Sequence, residues 1–178
     1  MIVPVVLLYL IRSQKRTIVK CDFVIDWKGD NIRILPKKII SRDKSIMYSH
    51  EGRNLSRNDI IFIFKIARRA RFSFYFLLKC IIKIADYCYI IKKHQPKEII
   101  VASEFSFTSS ILTMYCNENS IKHINVMHGE KLFNIRDSFF KFDKCYIWDD
   151  HYQNLFLSLK AYPDQFEVYS PDSLFIKE

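Results

Sequence analysis

The chain predicts an α/β fold built on a parallel sheet, and three observations carry that prediction. Between residues 97 and 171, short uninterrupted apolar runs recur, each too short for a helix and bounded by polar turns. Helix-like stretches alternate with these runs, in the strand–helix–strand order that right-handed crossovers require. Polar side chains collect just past the ends of three consecutive runs, where ligands sit in open α/β sheets. A length of 178 residues suits one domain, or one with a small appendage, and allows about two thirds of the unfolded surface to be buried.

Each element follows from its residues. Val3 to Leu10 reads as a buried first strand. It is far shorter than the roughly 20 residues of a membrane-spanning helix. Its charges, Arg12, Lys15 and Arg16, follow the apolar run, the reverse of a signal peptide. Residues 17–40 hold two β-type runs around Lys28-Gly29-Asp30-Asn31, which predicts a hairpin. The polar stretch 41–57 reads as a connecting loop. Ser56 or Asn58 can cap a helix from about Asp59 to Lys93, broken near Arg71 to Ser73 because the pattern is too long for one globular helix. Lys79, Lys83 and Asp86 fall near i, i+4, i+7, which marks one polar stripe and argues against a membrane span.

Beyond residue 97 the alternation is regular. Strands are expected at Glu98 to Ala102, Ile121 to Met127, Lys144 to Trp148 and Phe166 to Tyr169, and helices at Phe107 to Asn117 and His151 to Ala161. A polar and aromatic loop is expected over 130–143. The organisation is that of a single domain over 1–178: N-terminal strands and a loop (1–57), a basic amphipathic helical region (58–95) and a βαβ-type region (97–171).

Composition excludes several classes. With 49% hydrophobic and 15% aromatic residues the chain is not a disordered one. Three glycines, all far apart, leave no glycine-rich phosphate loop. Five cysteines without C-x-x-C spacing read as buried reduced thiols, and no zinc site is expected. The net charge is +9, and Lys65, Arg68, Arg69, Arg71, Lys79, Lys83, Lys92 and Lys93 are interleaved with Phe, Ile and Tyr. That mixture suits an anionic membrane surface. Nucleic acid is the competing partner, disfavoured because no RNP, helix-turn-helix or KH pattern is present.

Three strand ends deliver the candidate site. Ser103, Glu104, Ser106 and Thr108 follow the first, His128, Gly129, Glu130 and Lys131 the second, Asp149 and Asp150 the third. His128 can take a proton from a hydroxyl or bond a phosphate, or be an ordinary turn histidine. Gly129 allows a sharp turn and close approach of a substrate. Glu104 can accept a hydrogen bond from a sugar, act as a base, or simply complement a helix dipole. Ser103, Ser106 and Thr108 suit helix capping, and the N–H groups there can bind a phosphate. Lys131 and Arg136 can contact an anionic donor or acceptor, or be solvated loop charges. Asp149 and Asp150 read as N-caps. His123 is expected to pack inside its strand, and His50, His94 and His151 carry no pattern.

The stretch 98–171 resembles the later part of the N-terminal Rossmann-like domain of GT-B glycosyltransferases, in particular those of bacterial capsule and O-antigen assembly. The resemblance is carried by Ser103-Glu104 before a helix, by Ile124-Asn125-Val126-Met127-His128-Gly129-Glu130, and by Tyr146-Ile147-Trp148-Asp149 before the next helix. It implies a Rossmann-like parallel sheet with flanking helices, one half of a GT-B fold. In the related glycerol-phosphate polymerases of wall teichoic acid synthesis a His-Gly at a similar strand end carries the proposed base. By that analogy His128 deprotonates an acceptor hydroxyl and Glu104 orients the acceptor, with Ser103, Ser106, Gly129, Glu130, Lys131 and Arg136 as substrate contacts. The implied substrates are a nucleotide sugar and a glycan or lipid-linked acceptor, with no bound metal or other cofactor. The implied location is cytoplasmic, peripheral at the inner face of the cell membrane. Because a GT-B enzyme uses two facing domains and the sequence ends at Glu178, the resemblance implies either a truncated reading frame or a second polypeptide carrying the C-terminal nucleotide-binding domain as a partner. The competing expectation is a non-catalytic acceptor- or partner-binding remnant of such an enzyme.

Overall fold

The computed structural model describes residues 18–26, 34–40, 45–47, 52–69, 74–104 and 108–171. The first strand expected at Val3 to Leu10 lies outside them. The described chain forms six strands: β1 (Phe23–Asp26), β2 (Ser45–Met47), β3 (Glu98–Val101), β4 (Lys122–Val126), β5 (Lys144–Ile147) and β6 (Phe166–Val168). They make one sheet in the order β2-β1-β3-β4-β5-β6, and every neighbouring pair is parallel. The fold is α/β and Rossmann-like, as the sequence predicts. Ile99, Ile100 and Val101 are all buried, as are His123, Ile124, Asn125 and Val126, so the central strands are covered on both faces. Continuous rather than alternating apolarity in β3 is what such burial demands.

Five helices accompany the sheet among the described residues: α1 (Lys37–Ile40), α2 (Arg57–Arg69), α3 (Phe74–His94), α4 (Ser109–Glu118) and α5 (Asp150–Ser158). The hairpin expected within residues 17–40 is not what forms. Among the described residues of that stretch only Phe23–Asp26 is a strand, and Pro36 leads into the helical turn Lys37–Ile40, where Ile39 N–H donates to Pro36 C=O at 2.7 Å. Leu35 and Ile39 lie four residues apart and both enter the core with Phe23, Ile25, Ile100, Ile124, Val126 and Tyr146. That spacing meets one core face from a helical turn, not from a strand. The stretch 41–57, expected as loop, contributes β2, whose Ser45 to Met47 pair in register with Phe23 to Ile25.

The chain divides into two compact units, a sheet unit of residues 22–49 and 97–178, and a second unit of residues 1–21 and 50–96. In the second, the expected two-helix division holds. Ser56 is the cap of α2: Asp59 Oδ2 accepts from Ser56 N–H at 2.5 Å and from its hydroxyl at 2.6 Å, a reciprocal arrangement of the capping-box kind. The polar stripe expected on α3 is incomplete. Lys83 is exposed, but Asp86 is buried and its Oδ1 takes Arg53 Nε at 2.8 Å. A paired carboxylate can be buried where an unpaired one cannot. No helix among the described residues is long and apolar enough to cross a membrane.

In the sheet unit, Phe140, Phe142, Phe156 and Phe166 make a second apolar cluster, with Phe140 edge-on to Phe156 at 5.1 Å and Phe156 stacked on Phe166 at 6.0 Å. Gln165 ties the chain before β5 to the start of β6. Its Oε1 accepts Phe142 N–H at 2.7 Å, and its Nε2 donates to Phe140 C=O at 3.1 Å. Asp149 caps α5 as expected, accepting Tyr152 N–H at 3.1 Å. Thr108 precedes α4 but makes no side-chain cap, so its expected capping role is not met. These anchors set the loop between β4 and β5 at the carboxyl edge of the sheet.

Candidate functional site

The parallel register places Val101 beside Asn125, so the segments leaving β3 and β4 emerge side by side. Between them sits Glu104, which is 1% exposed. Its carboxylate is held from three directions. Asn125 Nδ2 donates to Oε2 at 3.1 Å, Lys131 Nζ lies 2.5 Å from Oε1, and His128 Nδ1 lies 3.5 Å from that same oxygen. Asn125 is itself fixed, since its Oδ1 accepts the N–H of Ser103 at 2.9 Å and its Nδ2 also reaches Cys145 Sγ at 3.4 Å. Lys131 completes the ring by donating to His128 C=O at 2.9 Å.

Backbone conformation makes this return possible. Gly129 has φ of +67°, a left-handed turn that a side chain resists. The turn brings Lys131 back toward the strand ends, and the lysine side chain is only 9% exposed. It is therefore not the solvated loop charge that was one of its two expected readings. Nor is Glu104 a helix-dipole carboxylate: its partners are side chains.

The electrostatics follow from these contacts. Burial alone pushes the Glu104 carboxyl up, but the hydrogen bond from His128 and the charge and hydrogen bond of Lys131 outweigh it, so Glu104 is held below the usual carboxylate range. The His128 side chain is about one third exposed, against complete burial for Glu104.

Other expected residues fall in two places. Ser103 belongs to the cluster through its backbone, because its C=O also accepts the Ser109 hydroxyl at 2.8 Å. Ser106 lies outside the described residues. Glu130, Lys131 and Arg136 line a cleft of about 320 Å³ together with Leu132, Asn134 and Asp137. Arg136 is exposed there, its N–H received by Asn134 Oδ1 at 3.0 Å. Lys131 is thus common to the Glu104 cluster and the cleft.

Comparison with protein-family models, with curated proteins and with solved structures gave no match. The site therefore rests on its own geometry. Two of its members escaped the sequence reading. Asn125 lies within an apolar strand, and the signal for it was a fully polar amide at a position that the run Ile121 to Met127 marks as buried. Asp137 is 3% exposed, and its Oδ1 is shielded with no hydrogen-bond partner among the described residues. Burial raises its carboxyl above the usual range, against the opposing charges of Lys131 and Arg136.

Proposed function

We propose that this chain is the acceptor-side half of a glycosyltransferase-like enzyme of bacterial surface polysaccharide assembly, moving a sugar from a nucleotide sugar to a glycan or lipid-linked acceptor. One observation carries the reading: at the carboxyl edge of a parallel sheet, an accessible imidazole stands 3.5 Å from a buried, ionised carboxylate. In the proposed step, Nε2 of His128, the ring nitrogen not facing Glu104, takes the proton of an acceptor hydroxyl. The acceptor oxygen forms its bond to the anomeric carbon of the donor, and the nucleotide diphosphate leaves with the bonding electron pair. Glu104 stabilises the resulting imidazolium, Asn125 and Lys131 hold Glu104 in place, and a second polypeptide supplies the nucleotide site. General-base assistance of this kind contributes about 10²–10⁴-fold.

The reading includes a peripheral membrane location. It is supported by α2 and the start of α3, which expose Ile61, Phe64, Phe74 and Tyr75 along with Arg68 and Arg69. Sedimentation with vesicles of phosphatidylglycerol, compared with phosphatidylcholine vesicles, tests that part.

The test of the reaction is transfer of labelled sugar from nucleotide sugars to a glycan acceptor, by the chain together with the second polypeptide proposed to supply the nucleotide site. Wild type is expected to turn over and His128→Ala to lose at least 100-fold. Acceptor binding without turnover, equal in wild type and His128→Ala, would replace the enzyme with a non-catalytic binding module.

A further inference from the structure

The cleft beside the catalytic cluster has a composition that selects its occupant. Its lining carries both signs of charge: Lys131 and Arg136 against Glu130 and Asp137. Lys131 is moreover already compensated by Glu104 at 2.5 Å. An anionic ligand such as a phosphate would meet two carboxylates as well as the Arg136 guanidinium, so the balance disfavours it. A neutral polyhydroxyl ligand meets no such conflict, because each hydroxyl both donates and accepts. Carboxylates accept hydrogen bonds from its hydroxyls, while Arg136 and Asn134 supply donors.

Two further features point the same way. Asp137 lines the cleft, and its shielded Oδ1 has no partner among the described residues, an arrangement that costs stability in the ligand-free chain and that a turn of the carboxylate toward a ligand hydroxyl relieves. At the cleft, Leu132 is 81% exposed, and its neighbours Phe133 and Ile135 are 72% and 79% exposed. Apolar side chains left in water beside a polar cleft suit the C–H face of a sugar ring. A volume of about 320 Å³ lies at the small end of the roughly 300–1,000 Å³ of ligand sites, enough for about one or two sugar units.

We infer that the cleft lined by residues 130–137 is a saccharide subsite, with Asp137 accepting hydrogen bonds from sugar hydroxyls. That the saccharide is the acceptor of a transfer reaction rests on the function proposed above; its binding does not.

The experiment is amide chemical-shift mapping on the full chain, titrated with methyl α-glucoside, methyl α-galactoside, methyl α-mannoside, N-acetylglucosamine and maltose, and separately with inorganic phosphate. At least one neutral saccharide is expected to shift the amides of 130–137 at millimolar concentration. Asp137→Asn and the exposed Arg136→Met are each expected to weaken that binding at least 10-fold, and Asp137→Asn to raise or preserve the melting temperature. A purely structural Asp137 would lower the melting temperature and leave the binding that survives unchanged. Should Asp137→Asn fail to fold, Arg136→Met still decides. Shifts with phosphate alone, no shift with any saccharide, or undiminished binding by the variants would overturn the subsite. His128→Ala is expected to keep the binding. Saccharide binding without any transfer activity therefore refutes the transferase and leaves the subsite standing, whereas transfer without shifts at 130–137 does the reverse.

Discussion

Strand β4 has a histidine at each end, and the two have opposite surroundings. His123, near the amino end, is fully buried. Its Nδ1 lies 2.8 Å from the Thr113 hydroxyl, which donates onward to Lys141 C=O at 2.7 Å, so the ring supplies the proton of the first contact. Burial drives the pKa of the ring down to about 3. The nearby carboxylate, Asp143, serves the backbone instead, accepting His123 N–H at 2.7 Å. His128, just past the carboxyl end, keeps one third of its side chain exposed and faces an ionised carboxylate. The same residue type is a buried, neutral spacer at one end and a partly exposed partner of a carboxylate at the other. The difference lies in what each ring meets: a hydroxyl in an apolar layer, or a carboxylate at the edge.

The largest effect that can break this contrast is on turnover. His128→Ala should cost at least 100-fold in transfer, with unfolding free energy within about 0.5 kcal/mol of wild type, as for a partly exposed side chain. A collapse of the fold in that variant would make His128 a structural residue like His123. Next comes Lys131→Met, which strands Glu104 as a buried charge without its cation. Urea denaturation should show a loss of about 3–5 kcal/mol, and the double replacement Glu104→Leu, Lys131→Met should recover most of it. Full stability in the single variant would mean that Lys131 does not hold the carboxylate.

A smaller effect tests the amino end. His123 is neutral in the fold and protonates near pH 6.5 when unfolded, so its folded pKa is depressed. Stability from this group is complete above about pH 6.5 and is lost as pH falls toward 3, at about 1.4 kcal/mol per pH unit. Glu104 adds its own loss only as pH falls through the ordinary carboxylate range toward its lowered folded value. Equilibrium unfolding between pH 6 and 5 should therefore show this slope in wild type and a much reduced one in His123→Phe; equal slopes would place the titration elsewhere. Smallest is Gly129→Ala. Nothing lies within 4 Å of an added Cβ, so only the left-handed backbone opposes it, at about 1 kcal/mol by thermal unfolding.

The legibility of the fold from sequence varies along the chain for physical reasons. Strands β3 and β5 could be read because parallel strands buried on both faces must be nearly continuous apolar runs, as Ile99 to Val101 and Cys145 to Ile147 are. Strand β2 is only three residues long within polar surroundings, and its pairing partner lies outside its own neighbourhood in sequence. Leu35 and Ile39 looked extended because helical spacing over a single turn is too short to register. At the site, His128 and Glu104 were legible as polar groups at strand ends. Asn125 was hidden inside a strand, and the burial of Lys131 depends on a turn at Gly129 that returns the chain to Glu104, a contact no local pattern encodes.

The cysteines give the molecule a kinetic property of its own. All five are buried and reduced, and burial lifts four of the thiols well above their ordinary range, to about 11 for Cys80 and about 12 for Cys88, with Cys116 and Cys145 also raised. Alkylation needs an accessible thiolate, so a folded chain is inert and modification proceeds only through opening. Cys21, Cys80 and Cys88 belong to the helical unit, Cys116 and Cys145 to the sheet unit. The chain thereby carries two sets of internal clocks, one for each unit. Cys145, in contact with Asn125, times the exposure of the strand on which the Glu104 cluster leans.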